Sequence, residues 1–224
     1  MWGMVPRRVP VLLFIPQSGY RRYSHRQACG KVTRSQSDQE HQRRADFSKR
    51  MHGYRNDELV REWFGPALSD TEVTWHGAEK EKLYRRMMGP VVQAHLVPGV
   101  VEFLQSHEAV KKGLASNAER PNIDLILDGC GLRHHFLVVV DGDQVQRPKP
   151  YPDIYKKAAE LLAARMQDCV IFEDSPAGVE AGLAAGAMVV GVLTHPTELI
   201  GVDLLIRDFR DPALGKWLEQ AATS

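Results

Sequence analysis

No acidic residue occurs before Asp38, although the same stretch carries Arg7, Arg8, Arg21, Arg22, Arg26, Lys31 and Arg34. A basic, acid-free start shares its composition with organellar transit peptides, and the apolar run from Val11 to Ile15 resembles the middle of a signal peptide. Pro10 and Pro16 confine that run to less than a usual signal core, so no targeting segment is expected and a cytoplasmic location is. Cysteine is scarce: Cys29, Cys130 and Cys169 lie far apart. That excludes a CxxC motif and an even-numbered disulfide framework, and fits a reducing compartment. Nothing approaches the roughly 20 apolar residues of a membrane-spanning helix, so no membrane partner is expected. An excess of one charge is missing too, with 29 Lys and Arg against 28 Asp and Glu. No nucleic-acid partner follows from such a balance.

What is present is a chain of 224 residues, 43% hydrophobic and 25% charged. That length buries a sizeable core and suggests one domain with a smaller module. Residues 18–44 lack any sustained period and are crowded with Arg, Gln, Ser and His, which reads as loop or disorder. Order returns near Asp46. Leu59, Val60, Trp63 and Phe64 fall at helical spacing after Asn56-Asp57, and Gly65-Pro66 ends that helix. Leu83, Met87 and Met88 mark a second helix over 79–88, stopped by Gly89-Pro90, and 91–95 continues as a short helix or linker. Residues 46–95 therefore read as a small all-helical module. Within it Lys49, Arg50, His52 and Arg55 are candidates to face an anion, although charges on a helical surface are usually solvated.

After Pro98-Gly99 strands and helices alternate. A helix carries Val100, Val101, Phe103 and Leu104, and a strand over 112–115 leads to Ser116-Asn117. Then come a helix through 123–127, a strand over 136–140, a loop bearing Lys149 and a helix over 152–164. A strand over 169–172, a helix over 179–185 and strands over 188–192 and 204–206 complete the series. That alternation predicts an α/β fold with a parallel sheet. Right-handed crossovers bring the C-terminal ends of its strands to one rim, where Ser116, Lys149, Glu173 and Asp174 converge.

The stretch VIFEDSPAGVEAGLAAGA, 170–187, carries the clearest chemistry. An apolar strand delivers two adjacent carboxylates, Glu173 and Asp174, into a turn that opens a helix of small residues. Ligands of open parallel sheets bind beyond the carboxyl ends of the strands, and paired carboxylates there suit a hard cation such as Mg2+. The stretch alone reads equally well as a helix cap at Asp174 beside a solvated Glu173. A phosphate at the rim would give every member a task. The Ser116 hydroxyl and the Asn117 backbone N–H donate to phosphoryl oxygens, Lys149 supplies a compact positive charge, and Glu173 with Asp174 holds the metal.

LASN at 114–117, RPKPYPDIY at 147–155 and VIFEDSPAGVEAGLAAG at 170–186 resemble motifs two, three and four of the haloacid dehalogenase-like (HAD) hydrolases. The likeness is to the subgroup with a helical cap after the first strand, which includes β-phosphoglucomutase, phosphoglycolate phosphatase and sugar-phosphate phosphatases. MHGYRNDELVREW at 51–63 is similar to a cap segment and HLVPGVVEFL at 95–104 to the return into the core, so that the resemblance covers residues 46–200. It implies a Rossmann-like parallel sheet core over 96–224, joined by a first strand within 1–17, with a small all-helical cap over 18–95. It also implies a phosphatase or phosphosugar mutase acting on a small phosphorylated metabolite through an aspartyl phosphate, with Mg2+ as cofactor. Ser116, Asn117 and Lys149 take the catalytic positions, Glu173 and Asp174 the metal positions, and His52, Arg55 and Lys49 the substrate positions.

One motif departs from the pattern. In the family the nucleophilic Asp and the general acid/base form a DxD at the end of the first strand. Here a strand over 9–15 is followed through Ile15, Pro16 and Gln17. An Ile side chain cannot be phosphorylated, and Gln cannot exchange a proton as a carboxylic acid does. The first Asp is also a metal ligand in the family, so a weakened Mg2+ site follows. Three accounts are open: an inactive relative that binds a phosphate ligand or a partner, a misread or frame-shifted N-terminus, or a substitute carboxylate at Asp141 or Asp143. The aperiodic composition of 18–44 favours the second, and Asp141 with Asp143 reads better as a DGD turn ending a strand.

Overall fold

The computed structural model describes residues 11–13 and 56–222. The chain divides into two compact units, one of Met1–Pro16 with Val92–Ser224, the other of Gln17–Val91. Among the described residues no single helix is long and apolar enough to cross a membrane.

In the smaller unit, α1 spans Asn56–Phe64 and α2 spans Asp70–Met88. Helix α2 begins nine residues before its apolar pattern suggests, because Ser69 and Glu72 form a reciprocal capping box. Glu72 N–H donates to the Ser69 hydroxyl at 3.3 Å, and Ser69 N–H donates to Glu72 Oε2 at 2.9 Å. Two orphan donors of the first turn are thereby satisfied. Val73, Gly77, Glu81, Tyr84 and Met88 form its buried stripe.

The larger unit holds a six-stranded, wholly parallel sheet in the order β3-β2-β1-β4-β5-β6. Its strands are β1 Val11–Leu13, β2 Lys112–Ala115, β3 Val138–Val140, β4 Val170–Glu173, β5 Met188–Val192 and β6 Leu204–Ile206. Five helices cover it: α3 Val100–Ser106, α4 Arg120–Gly129, α5 Asp153–Leu161, α6 Pro176–Ala185 and α7 Pro212–Ala221. The chain winds outward from β1 to one edge, then returns and continues from β4 to the other. Strand order therefore reverses between β1 and β4, the switch point beside which sheets of this kind form their ligand crevice.

Period-two alternation along β4 builds both layers of core. Val170 and Phe172 join Leu104 of α3, Leu127 of α4 and Leu214 of α7 on one face. Ile171 joins Ile154 and Tyr155 of α5 and Val179 of α6 on the other. Phe172 is packed against Phe103 and Phe209 at centroid separations of 5.3 and 5.2 Å, which fixes the strand immediately before the two carboxylates. Truncating a buried ring of this kind to alanine costs roughly 3–5 kcal/mol.

Further elements differ from the sequence reading. The strand expected over 136–140 starts at Val138, because a 3-10 turn over Arg133–His135 ends with Phe136 N–H donating back to the Arg133 carbonyl. The helix expected to run to 164 stops at Leu161, because Ala163 adopts a left-handed φ of 51° and Ala164 N–H closes onto the Ala159 carbonyl. Glycine usually marks such a stop, so an alanine hides it. Helix α7 was not anticipated, although Asp211 caps it and Pro212 opens it.

Candidate active site

Among the described residues, the strands beside the β1/β4 switch point end in polar groups, Ser116 after β2 and Glu173 with Asp174 at the end of β4. Beyond β2, Ser116 N–H completes the ladder to the Val140 carbonyl at 3.0 Å, and the Ser116 hydroxyl accepts from Ala118 N–H at 3.1 Å. That hydroxyl keeps its own proton to donate. Asn117 works through its neighbour: its amide accepts from Lys149 N–H at 3.1 Å and donates to the Lys149 carbonyl at 3.3 Å. Two segments 32 residues apart are thereby clamped. The Lys149-Pro150 peptide is cis, and a second contact tightens the same junction. A Cβ on Gly142 would stand 2.6 Å from the Asn117 carbonyl oxygen, so the β3 loop approaches the β2 loop as closely as glycine allows.

Lys149 is buried. Its ammonium donates to the Ala115 carbonyl at 3.2 Å and to Glu173 Oε1, and lies 4.7 Å from the centre of the Tyr155 ring. Tyr155 OH donates to the same Oε1. The other oxygen, Oε2, accepts from Asp174 N–H at 3.1 Å, Ser175 N–H at 3.3 Å and the Ser175 hydroxyl at 3.0 Å. Glu173 is 1% exposed. Its carboxylate rests on the first turn of α6, where a Cβ on Gly178 would come within 2.0–2.3 Å of it. Burial and the Glu173 charge hold the Tyr155 phenol far above its ordinary range.

Asp174 faces a different set of groups. Thr194, just past β5, donates its hydroxyl to Oδ2 at 2.6 Å, and His195 Nε2 stands 4.0 Å from the same oxygen. Burial first, and then the Glu173 charge, push the Asp174 carboxyl up to about 7 against the opposing pull of Thr194 and Lys149. Neither acid caps the helix; Ser175 does, its hydroxyl accepting from Gly178 N–H at 3.0 Å. Asp141 stands at the end of β3 but has local work, accepting from Asp143 N–H at 3.2 Å and from the Gln144 amide at 2.7 Å.

The crevice therefore gathers Ser116, Lys149, Glu173 and Asp174, with Asn117 holding the lysine's backbone. Lys49, His52 and Arg55 lie outside the described residues, as do Ile15, Pro16 and Gln17. The sequence reading passed over Tyr155, Thr194 and His195. Thr194-His195 had a readable signal, two polar residues directly after a buried apolar strand on the ligand rim. As a cation site the described residues do not fit. One carboxylate of the pair already serves five donors, and no group of three His, Cys, Asp or Glu among the described residues is placed to hold an ion. Hydrolases of this fold family generally use Mg2+.

Comparison with known proteins agrees with this layout. A family model for haloacid dehalogenase-like hydrolases matches residues 23–186, beginning downstream of β1. The β-phosphoglucomutase of Bacillus subtilis is 31% identical over 180 residues, taking in 75% of this chain and 76% of its own. The crystal structure of a β-phosphoglucomutase from Clostridium difficile superposes with a TM-score of 0.75 over 96% of this chain and 97% of its own. At 20% identity that is a likeness of fold. Two further curated relatives, 35% and 37% identical, are matched over only 54% and 32% of their own length. With motifs two to four on one rim of a 3-2-1-4-5-6 sheet and a family match across residues 23–186, this chain belongs to the haloacid dehalogenase-like hydrolases.

Proposed function

We propose that this chain binds small phosphate monoesters at the β1/β4 crevice and does not turn them over through an aspartyl phosphate. The observation that carries the reading is a missing residue type. β1 lies in the middle of the sheet, in register with β2 and β4. The sequence after Leu13 reads Phe-Ile-Pro-Gln, and no acid precedes Asp38. The neighbouring strands carry a complete set of phosphate-facing groups. Attack on phosphorus needs a nucleophile that can be phosphorylated and released, and neither Ile15 nor Gln17 is one. Asp141, the nearest substitute by topology, has both oxygens engaged in its own turn.

The remaining groups suit recognition. The Ser116 hydroxyl and the backbone N–H groups of the β2 loop donate to phosphoryl oxygens, and Lys149 sets a positive charge beneath them. Protonated Asp174 donates as well, whereas its ionised form repels a dianion. Relatives named β-phosphoglucomutase and fructose-1-phosphate phosphatase support a sugar phosphate as the class of ligand. Lys49, His52 and Arg55 are the residues we assign to its non-phosphoryl part.

Titration calorimetry with inorganic phosphate and a panel of hexose phosphates, run beside a phosphate-release assay with Mg2+, tests the reading. Saturable heats without release above buffer are expected. Release that Lys149→Ala and Asp174→Ala both abolish would overturn the proposal and restore a phosphatase or mutase with a substitute nucleophile.

A further inference from the structure

We infer that the crevice takes its phosphate group without a divalent cation, because Glu173 is the built-in counter-ion of Lys149 and not a metal ligand. This deepens the function proposed above and rests on it. The geometry of Glu173 is the argument. Lys149 and Tyr155 share Oε1, while Asp174 N–H, Ser175 N–H and the Ser175 hydroxyl share Oε2. Those five donors exceed the roughly four lone-pair sites that a carboxylate offers. Coordinating an ion would mean releasing Lys149, and both side chains of that pair are at most 3% exposed. The carboxylate lies against α6 in the space that the missing side chain of Gly178 leaves.

Without Glu173, the described residues offer a cation Asp174 alone, and Oδ2 of Asp174 already accepts from Thr194. The sequence between Leu13 and Asp38 contains no carboxylate. Mg2+ is bound through one or two carboxylates together with several waters and substrate phosphates, and it loses its own water reluctantly. Here a lysine fixed by an acid, a carbonyl and an aromatic face stands where the neutralising charge is needed.

The test is calorimetric titration of the full chain with inorganic phosphate in 10 mM Mg2+ and again in EDTA, as rough working concentrations, beside a Mn2+ titration followed by electron paramagnetic resonance. The expected result is a phosphate Kd that agrees within about twofold between the two buffers, with a free-Mn2+ signal unchanged by the protein. Phosphate binding that appears only with Mg2+, or strengthens about tenfold or more with it, overturns the inference while leaving the phosphate reading intact. A loss of free-Mn2+ signal that Asp174→Asn restores also overturns it. Absence of phosphate binding in both buffers defeats the underlying reading instead, a distinct outcome.

Discussion

Two sets of opposite charges in this molecule use the same chemistry in opposite surroundings. Lys149 and Glu173 meet at the end of β4 with side chains 3% and 0% exposed. On the outer surface of α4, Arg133 bridges Asp124 and Asp128 with side chains 36–62% exposed. The exposed network is well furnished too, since Arg133 donates three hydrogen bonds at 2.6–2.9 Å and Arg120 adds another to Asp124. Water nonetheless screens it, and such pairs contribute little. The buried pair has no water to fall back on, so losing either member leaves an uncompensated charge. Ion-pair geometry alone therefore says little; burial decides which arrangement the fold depends on.

That contrast can be broken in order of size. Lys149→Met should destabilise the chain by roughly 3–5 kcal/mol in urea unfolding, the range for an orphaned buried charge. Adding Glu173→Gln to it should recover part of that loss. Additive effects in the double variant would show that the pair is not coupled. Tyr155→Phe comes next. It keeps the ring beneath Lys149 and removes one donor from Glu173, at a cost of about 1.5–3 kcal/mol. Gly178→Ala should cost about 1–3 kcal/mol through overpacking against the Glu173 carboxylate, and a melting temperature equal to the parent's would refute the close approach.

Another effect spreads along the pH axis. Asp174 is raised from its ordinary 3.8 to about 7, so between those values the native state holds more proton than the unfolded chain. Stability from this group is full below about pH 4 and is lost as pH rises through 7. The parent should therefore lose stability across that window relative to Asp174→Asn, and parallel curves would place the carboxyl's ionisation elsewhere. Smallest of all is Arg133→Ala, which should move the melting temperature less than any substitution at the rim.

Much of the fold was legible because its signals are local. Apolar runs of strand length, separated by helices with recognisable caps, identified all six strands with only small errors at their ends. Errors arose where a boundary depends on something other than periodicity. At Ser69 a capping box extends α2 across a weakly patterned first half, and at Ala163 a left-handed residue ends a helix without glycine. The site was legible only as a set of positions. Lys149, Glu173 and Asp174 could be brought to one rim by topology. That Glu173 turns inward to Lys149 and Tyr155 while Asp174 meets Thr194 depends on side-chain directions and on the space left by Gly178, which strand order does not encode.

Gly178 also limits the order in which this chain can change. Any side chain introduced there collides with a carboxylate that Lys149 holds in place. A glutamate that lost its glycine would find its berth closed, and a glycine that lost its glutamate would leave a void over the first turn of α6. The two positions, five residues apart on different elements, therefore behave as one heritable unit. A path replacing this internal counter-ion does best to shorten Glu173 before it fills Gly178, since the reverse route passes through an overpacked, less stable chain.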